Sequence, residues 1–125
     1  MGIKLIRIGA IYLMIGMGLG VYMGATGDHT LHPVHAHINL LGWTLLGLSG
    51  LMFHTFPQLE QSKLATVFFW LYNVSVPYTM VCLILIMSGY PEVEPLAGIG
   101  SVLILVSGVC LAVLLLTKLP SAKGA

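Results

Sequence analysis

"PLAGIGSVLILVSGVCLAVLLL", residues 95–116, runs for 22 residues without a charged side chain. About 20 apolar residues in a helix cross the ~30 Å hydrocarbon core of a bilayer, so this stretch reads as a membrane span. Three more runs repeat it, at roughly residues 8–25, 34–56 and 64–88. Between them lie the polar joints "TGDHTLHP" (26–33), "PQLEQSK" (57–63) and "GYPEVEP" (89–95). The composition agrees. The 125 residues are 58% hydrophobic and only 7% charged, whereas soluble domains carry about 25% charged residues. A net charge of +1 offers no basic surface for nucleic acid. The expected fold is therefore an all-α integral membrane protein, one domain over 1–125. Its four up-down helices are expected near 5–25, 34–56, 63–88 and 95–118. These spans occupy nearly the whole chain, so function is expected within the helices or at their mouths.

Lys4 and Arg7 make a basic start to the first run, but no A-x-A-like exit follows it, so it reads as an uncleaved helix. Ile6 stands where a myristoylation signal would have Ser or Thr, which argues against lipidation. Lys4, Arg7, Lys63, Lys118 and Lys123 all fall on one side of a four-span topology, and the positive-inside rule makes that side cytoplasmic. Both termini are then inside. The outer joints hold Asp28, Glu92 and Glu94 and no Lys or Arg. The expected location is a bacterial inner membrane, with residues 26–33 toward the periplasm. Cys82 and Cys110 fall well within spans and read as small hydrophobes rather than a disulfide.

Gly16, Gly20 and Gly24 recur every fourth residue, a smooth stripe on which another helix can lie closely. It serves either a contact within the chain or association of subunits. Pro77 lacks an amide hydrogen and frees the carbonyl of Asn73, so a kink is expected, repaired by Tyr72, Asn73, Ser75, Tyr78 or Thr79.

Four of the five histidines fall within residues 29–37. His29 and His32 lie in the wet outer joint and read as solvated. His32 and His35, at i and i+3, also offer one face to copper or zinc, although zinc normally takes three or four protein ligands. His54 stands 17 residues beyond His37, about 25 Å along a helix, and belongs to the opposite mouth. His35 and His37 are inside a span, where ionisable side chains are expensive and mark functional sites. Two positions on an α-helix differ by about 200°, so the rings point to opposite sides. Each needs its own partner.

"HAHINLLGW", residues 35–43, reads H-x-H-x-x-x-L-G-W. It resembles the histidine-rich helix of the catalytic subunit of heme–copper oxidases, closest to the C-type cytochrome oxidases and nitric-oxide reductases. In that family the two histidines ligate two hemes on opposite sides of one helix, and His35 and His37 match them. Gly42 and Trp43 match the tail of the motif. "HIN", residues 37–39, is also similar to the low-spin-heme segment of an earlier helix there. The family's core is a pseudo-threefold set of three four-helix units, and this chain resembles one unit. Helices three and four contain no histidine, so the family's three-histidine copper site has no counterpart. A complete oxidase is not expected.

The resemblance implies a small electron-transfer cytochrome. It would hold non-covalent heme b, since no C-x-x-C-H is present, between protomers of a homotrimer. His35 of one protomer and His37 of the next would be the iron ligands, with Gly42, Trp43 and Phe53 near the porphyrin and copper as an alternative metal. A redox protein or a quinol would exchange the electrons. Other readings are a heme-handling or nitric-oxide-sensing protein, and a cofactor-free assembly subunit of a respiratory complex.

Overall fold

The structure is a computed structural model and describes residues 1–120. Four long helices carry the fold: α1 (Gly2–Thr26), α2 (His32–Thr55), α3 (Lys63–Met87) and α4 (Glu94–Lys118). No strand occurs among the described residues. Each helix has 24 or 25 residues, about 36 Å of length, and all four are apolar enough to cross a membrane. Their bounds differ from the expected ones by a few residues at most. Short 3₁₀ turns at Pro57–Gln61 and Pro91–Val93 lead into α3 and α4. Gly27, at φ +71°, ends α1, and its N–H donates to the Met23 carbonyl at 2.9 Å. Ser62 caps α3, its Oγ accepting from the Leu64 N–H at 3.2 Å.

The helices pack as two hairpins, α1 along α2 and α3 along α4. Side chains of α2 and α3 join the hairpins. Phe53 stacks on Phe68 at 6.2 Å between centroids, Phe68 tilts against Tyr72, and the Tyr72 hydroxyl donates to the Leu41 carbonyl at 2.5 Å. Val34, Ile38 and Leu46 of α2 complete this core with Val76 and Met80 of α3 and Leu111 and Leu114 of α4. A buried Tyr needs a partner for its hydroxyl, and here it finds one across the seam.

That partner lies in an irregular turn. Residues Ile38–Thr44 of α2 form a π-helix, in which the Leu45 N–H reaches back five residues to the Leu40 carbonyl. π turns inside α-helices are frequent at functional sites, and this one begins immediately after His37. Gly42 lies in it, and a Cβ there would collide with the ring of Tyr12 on α1. The absence of that side chain lets α1 approach the widened turn.

The glycines serve α1–α2 packing. A Cβ on Gly16 would collide with the Asn39 amide, and one on Gly50 would lie 2.7 Å from the Gly2 carbonyl oxygen. The sequence leaves the glycine stripe either to a contact within the chain or to association of subunits, the latter with Gly42 beside Gly16, Gly20 and Gly24. Gly16, Gly20 and Gly42 are filled from within the chain, and Gly24 meets nothing within 4 Å. Helix α3 continues through Pro77. Nearby side chains bond other carbonyls: Ser75 that of Tyr72, Thr79 that of Ser75, and Tyr78 that of Leu96. Cys82 and Cys110 are free thiols.

Lys4, Arg7, Lys63 and Lys118 gather at the end of the bundle that carries Glu60, whose Oε1 accepts from the Gly2 N–H at 3.3 Å. Lys123 lies outside the described residues. Asp28, Glu92 and Glu94 are at the other end. There the Thr30 hydroxyl and N–H donate to Asp28 Oδ1 at 2.5 and 3.0 Å. These bonds hold the Asp28 carboxyl below the usual aspartate range. The depressed value means that the turn favours the ionised form. Its contribution is complete above the ordinary aspartate range and lost as pH falls through the lowered value. In Thr30→Ala the Asp28 pKa is expected to rise toward its ordinary value, as read by NMR titration.

Candidate functional site

The outer end of α2 sets two imidazoles on opposite sides of the helix. His35 points toward α1 and is half-buried. Its Nδ1 lies 2.8 Å from the Gly16 carbonyl oxygen. A carbonyl only accepts, so Nδ1 carries the hydrogen and, in the neutral ring, Nε2 carries the lone pair. The ring occupies the space left by Gly20, where a Cβ would lie 2.9 Å from Cε1. One turn later, the Asn39 amide Nδ2 is 3.4 Å from Nε2 and donates to it. Both nitrogens of His35 are thus engaged inside the α1–α2 seam.

His37 is exposed, about 8 Å along the axis from the start of α2 at His32. Its Nδ1 donates to the Pro33 carbonyl at 2.7 Å, which again leaves the lone pair on Nε2. This ring lines a groove of about 270 Å³ between α2, α3 and α4, shared with Leu41, Thr79, Met80, Leu83, Ala97, Ser101 and Ile104. Met80 is 4% exposed, whereas His37 and Ser101 lie open at the rim.

The other residues singled out by sequence lie elsewhere. Trp43 covers Gly9 and Gly47 in the α1–α2 seam, with ring carbons 3.4 Å from a Cβ at either position, and Gly42 holds Tyr12. Neither borders the His37 groove. The resemblance implies a place for both near a porphyrin; in the structure the π turn and the packing of α1 set them against α1 instead. Phe53 is buried in the α2–α3 core. His29 and His32 are exposed in the outer joint, and His54 is exposed at the opposite end. Among the described residues no three His, Cys, Asp or Glu side chains group as ligands for a bare metal ion, so His32 and His35 gain no third partner. Sequence reading names Thr79 beside Pro77 and Met80 on the third span, but not Leu83, Ala97, Ser101 or Ile104, which lie on helices far from the histidines in sequence and form no motif.

A family model described as "Protein of unknown function (DUF2871)" matches residues 3–118. The chain belongs to the DUF2871 family. No curated protein and no solved structure matches it. The stretch of this DUF2871 protein that the family covers includes all four helices, both histidine faces and the groove.

Proposed function

We propose that this DUF2871 protein is a small membrane-embedded cytochrome that binds heme b non-covalently at the outer end of α2. It would reside in a bacterial inner membrane with that end toward the periplasm. One observation carries the reading. His37 stands in a helix apolar enough to cross a membrane, with Nδ1 fixed by a backbone carbonyl and its ring lining a largely apolar groove. Metal-ligating histidines are commonly anchored through their other ring nitrogen in this way. The likeness of residues 35–43 to the heme–copper oxidase helix supports the same assignment.

The residues fit the group unequally. His37 needs no rearrangement. His35 has the same tautomer, but its Nε2 is met by Asn39 and its ring is seated on Gly20. Pairing it with a heme between protomers would require the ring to leave the seam, so His37 is the ligand assigned here. The groove holds about 270 Å³, below the ~300–1,000 Å³ of pockets that enclose ligands. It would grip a porphyrin around its centre, and a neighbouring copy in a homotrimer would cover the open rim. Bound heme supplies a one-electron iron couple. The chain orients the imidazole through the Pro33 carbonyl and excludes water with Leu41, Leu83 and Ile104. A redox protein or quinol would exchange the electron.

Protein purified from heme-replete cells is expected to carry close to one heme per chain by pyridine hemochrome. Less than about a tenth would overturn the reading. In His54→Ala the spectrum is expected to stay as it is, because His54 lies at the far mouth; a changed spectrum would place the heme at that end. A single histidine on the groove also favours a second reading, a gas-sensing or heme-handling protein with one open axial position. Strong carbon monoxide binding by the ferrous protein would select it.

A further inference from the structure

We propose that the basic end of the bundle holds one anionic phospholipid, its phosphate on Lys4, Thr66 and Trp70 in a cleft between the first turns of α1 and α3. This site is independent of the heme reading, because it lies at the opposite end from His37. The cleft holds about 280 Å³ and is lined by Met1, Lys4, Glu60, Thr66, Phe69 and Trp70. That is below the ~300–1,000 Å³ of pockets that enclose a whole ligand. It has room for a phosphate and its glycerol, with the acyl chains outside.

Hydrogen-bond accounting gives the charge of the ligand. Glu60, the one acid of the lining, is already engaged by the start of α1. Its Oε1 accepts from the Gly2 N–H at 3.3 Å and lies 3.1 Å from the Met1 nitrogen. Lys4 Nζ, the Thr66 hydroxyl and the Trp70 indole N–H have no partner among the described residues. The cleft therefore offers an unpaired ammonium and two neutral donors, a set that matches the oxygens of a phosphate diester. Arg7, three residues after Lys4 on a neighbouring part of the same helix face, adds to the positive potential.

Position decides between a lipid and a soluble phosphate ester. Trp70 lies seven residues into α3, about 10 Å along its axis, and is 64% exposed. Tryptophan is enriched at that level, where a membrane meets water, and a lysine can lay its stem on apolar surface while its charge stays at the interface. The Lys4 face of α1 continues at i+7 and i+11 as Ile11 and Ile15, and Val74 follows one turn after Trp70 on α3. All three are more than half exposed. A headgroup seated in the cleft can run its acyl chains along these side chains, whereas a soluble ester leaves them uncovered.

The test is native mass spectrometry of the full chain in detergent, titrated with dioleoyl phosphatidylglycerol. One retained lipid is expected, bound at least fivefold tighter than dioleoyl phosphatidylcholine, about what one basic residue adds at an anionic surface. Lys4→Gln is expected to lose that preference and Lys4→Arg to keep it. Trp70→Phe, which removes one hydrogen bond and keeps a ring, should weaken binding about fivefold. Lys4 and Trp70 are exposed, so these variants should fold. Lys118→Gln removes a cation of the same end that does not line the cleft and should stay within twofold. Equal affinity for the two lipids, or equal losses in Lys4→Gln and Lys118→Gln, would overturn the site and leave only the general attraction of a basic end. Glycerol 3-phosphate binding as tightly as the lipid would overturn the phospholipid assignment.

Discussion

His37→Ala is expected to lower the heme content of the purified protein at least tenfold. Among the described residues the imidazole is the only side-chain nitrogen on the groove between α2, α3 and α4. The ring's Nδ1 bonds only the carbonyl of its own helix, and the side chain is exposed, so its removal disturbs no packing. Helicity and detergent stability should therefore stay unchanged while colour is lost. His35→Ala is the counterpart. It removes the bond to Gly16 and the filling of the Gly20 hollow, at a cost to stability of about 1 kcal/mol for the hydrogen bond alone. Heme content should remain within twofold. Hemochrome assay and circular dichroism on the two variants read these opposite patterns. A normal low-spin spectrum in His37→Ala, or a colourless His35→Ala, would move the ligand to the α1 side of the helix.

The second large effect is expected at Gly50. A Cβ there would lie 2.7 Å from the Gly2 carbonyl oxygen and 3.0 Å from the Ile6 backbone nitrogen. Both atoms belong to the backbone of α1, so no rotamer change relieves the contact and the helices must part. Overpacking of well-packed interiors costs about 1–3 kcal/mol and sometimes more. Gly50→Leu should reach the upper end of that range in reversible unfolding from detergent micelles. Gly24→Leu, on the same helix pair but with nothing within 4 Å, should change stability by less than about 0.5 kcal/mol. Equal effects at the two sites would mean that α1 does not lie on α2 as described. If copies of the chain associate through the open glycines Gly18 and Gly24, Gly24→Leu would reveal it as a change in oligomeric state without loss of fold.

Much of the architecture was legible in residue order. Four charge-free runs of span length dictate four helices, because a backbone in hydrocarbon must satisfy its own hydrogen bonds. The short joints dictate that neighbours run antiparallel. The placing of Lys4, Arg7, Lys63 and Lys118 at one end, and of Asp28, Glu92 and Glu94 at the other, follows from that connectivity alone. The i, i+2 spacing of His35 and His37 sets their rings on opposite sides of α2, since the segment His32–His37 is regular α-helix. Three features were decided only by the tertiary structure. Glycine periodicity marks a surface for close approach without saying which helix approaches, and α1 and α2 fill Gly16, Gly20, Gly42 and Gly50 from within the chain. The π turn at Ile38–Thr44 has no local signal. It goes with the close approach of Tyr12 and the Tyr72 bond to Leu41, and with it Trp43 faces α1 rather than the histidine groove. The meeting of His37 with Met80 depends on the rotation of α3 about its axis. A helix apolar on every side has no preferred face that sequence could reveal, so only packing against α2 and α4 brings that methionine to the groove.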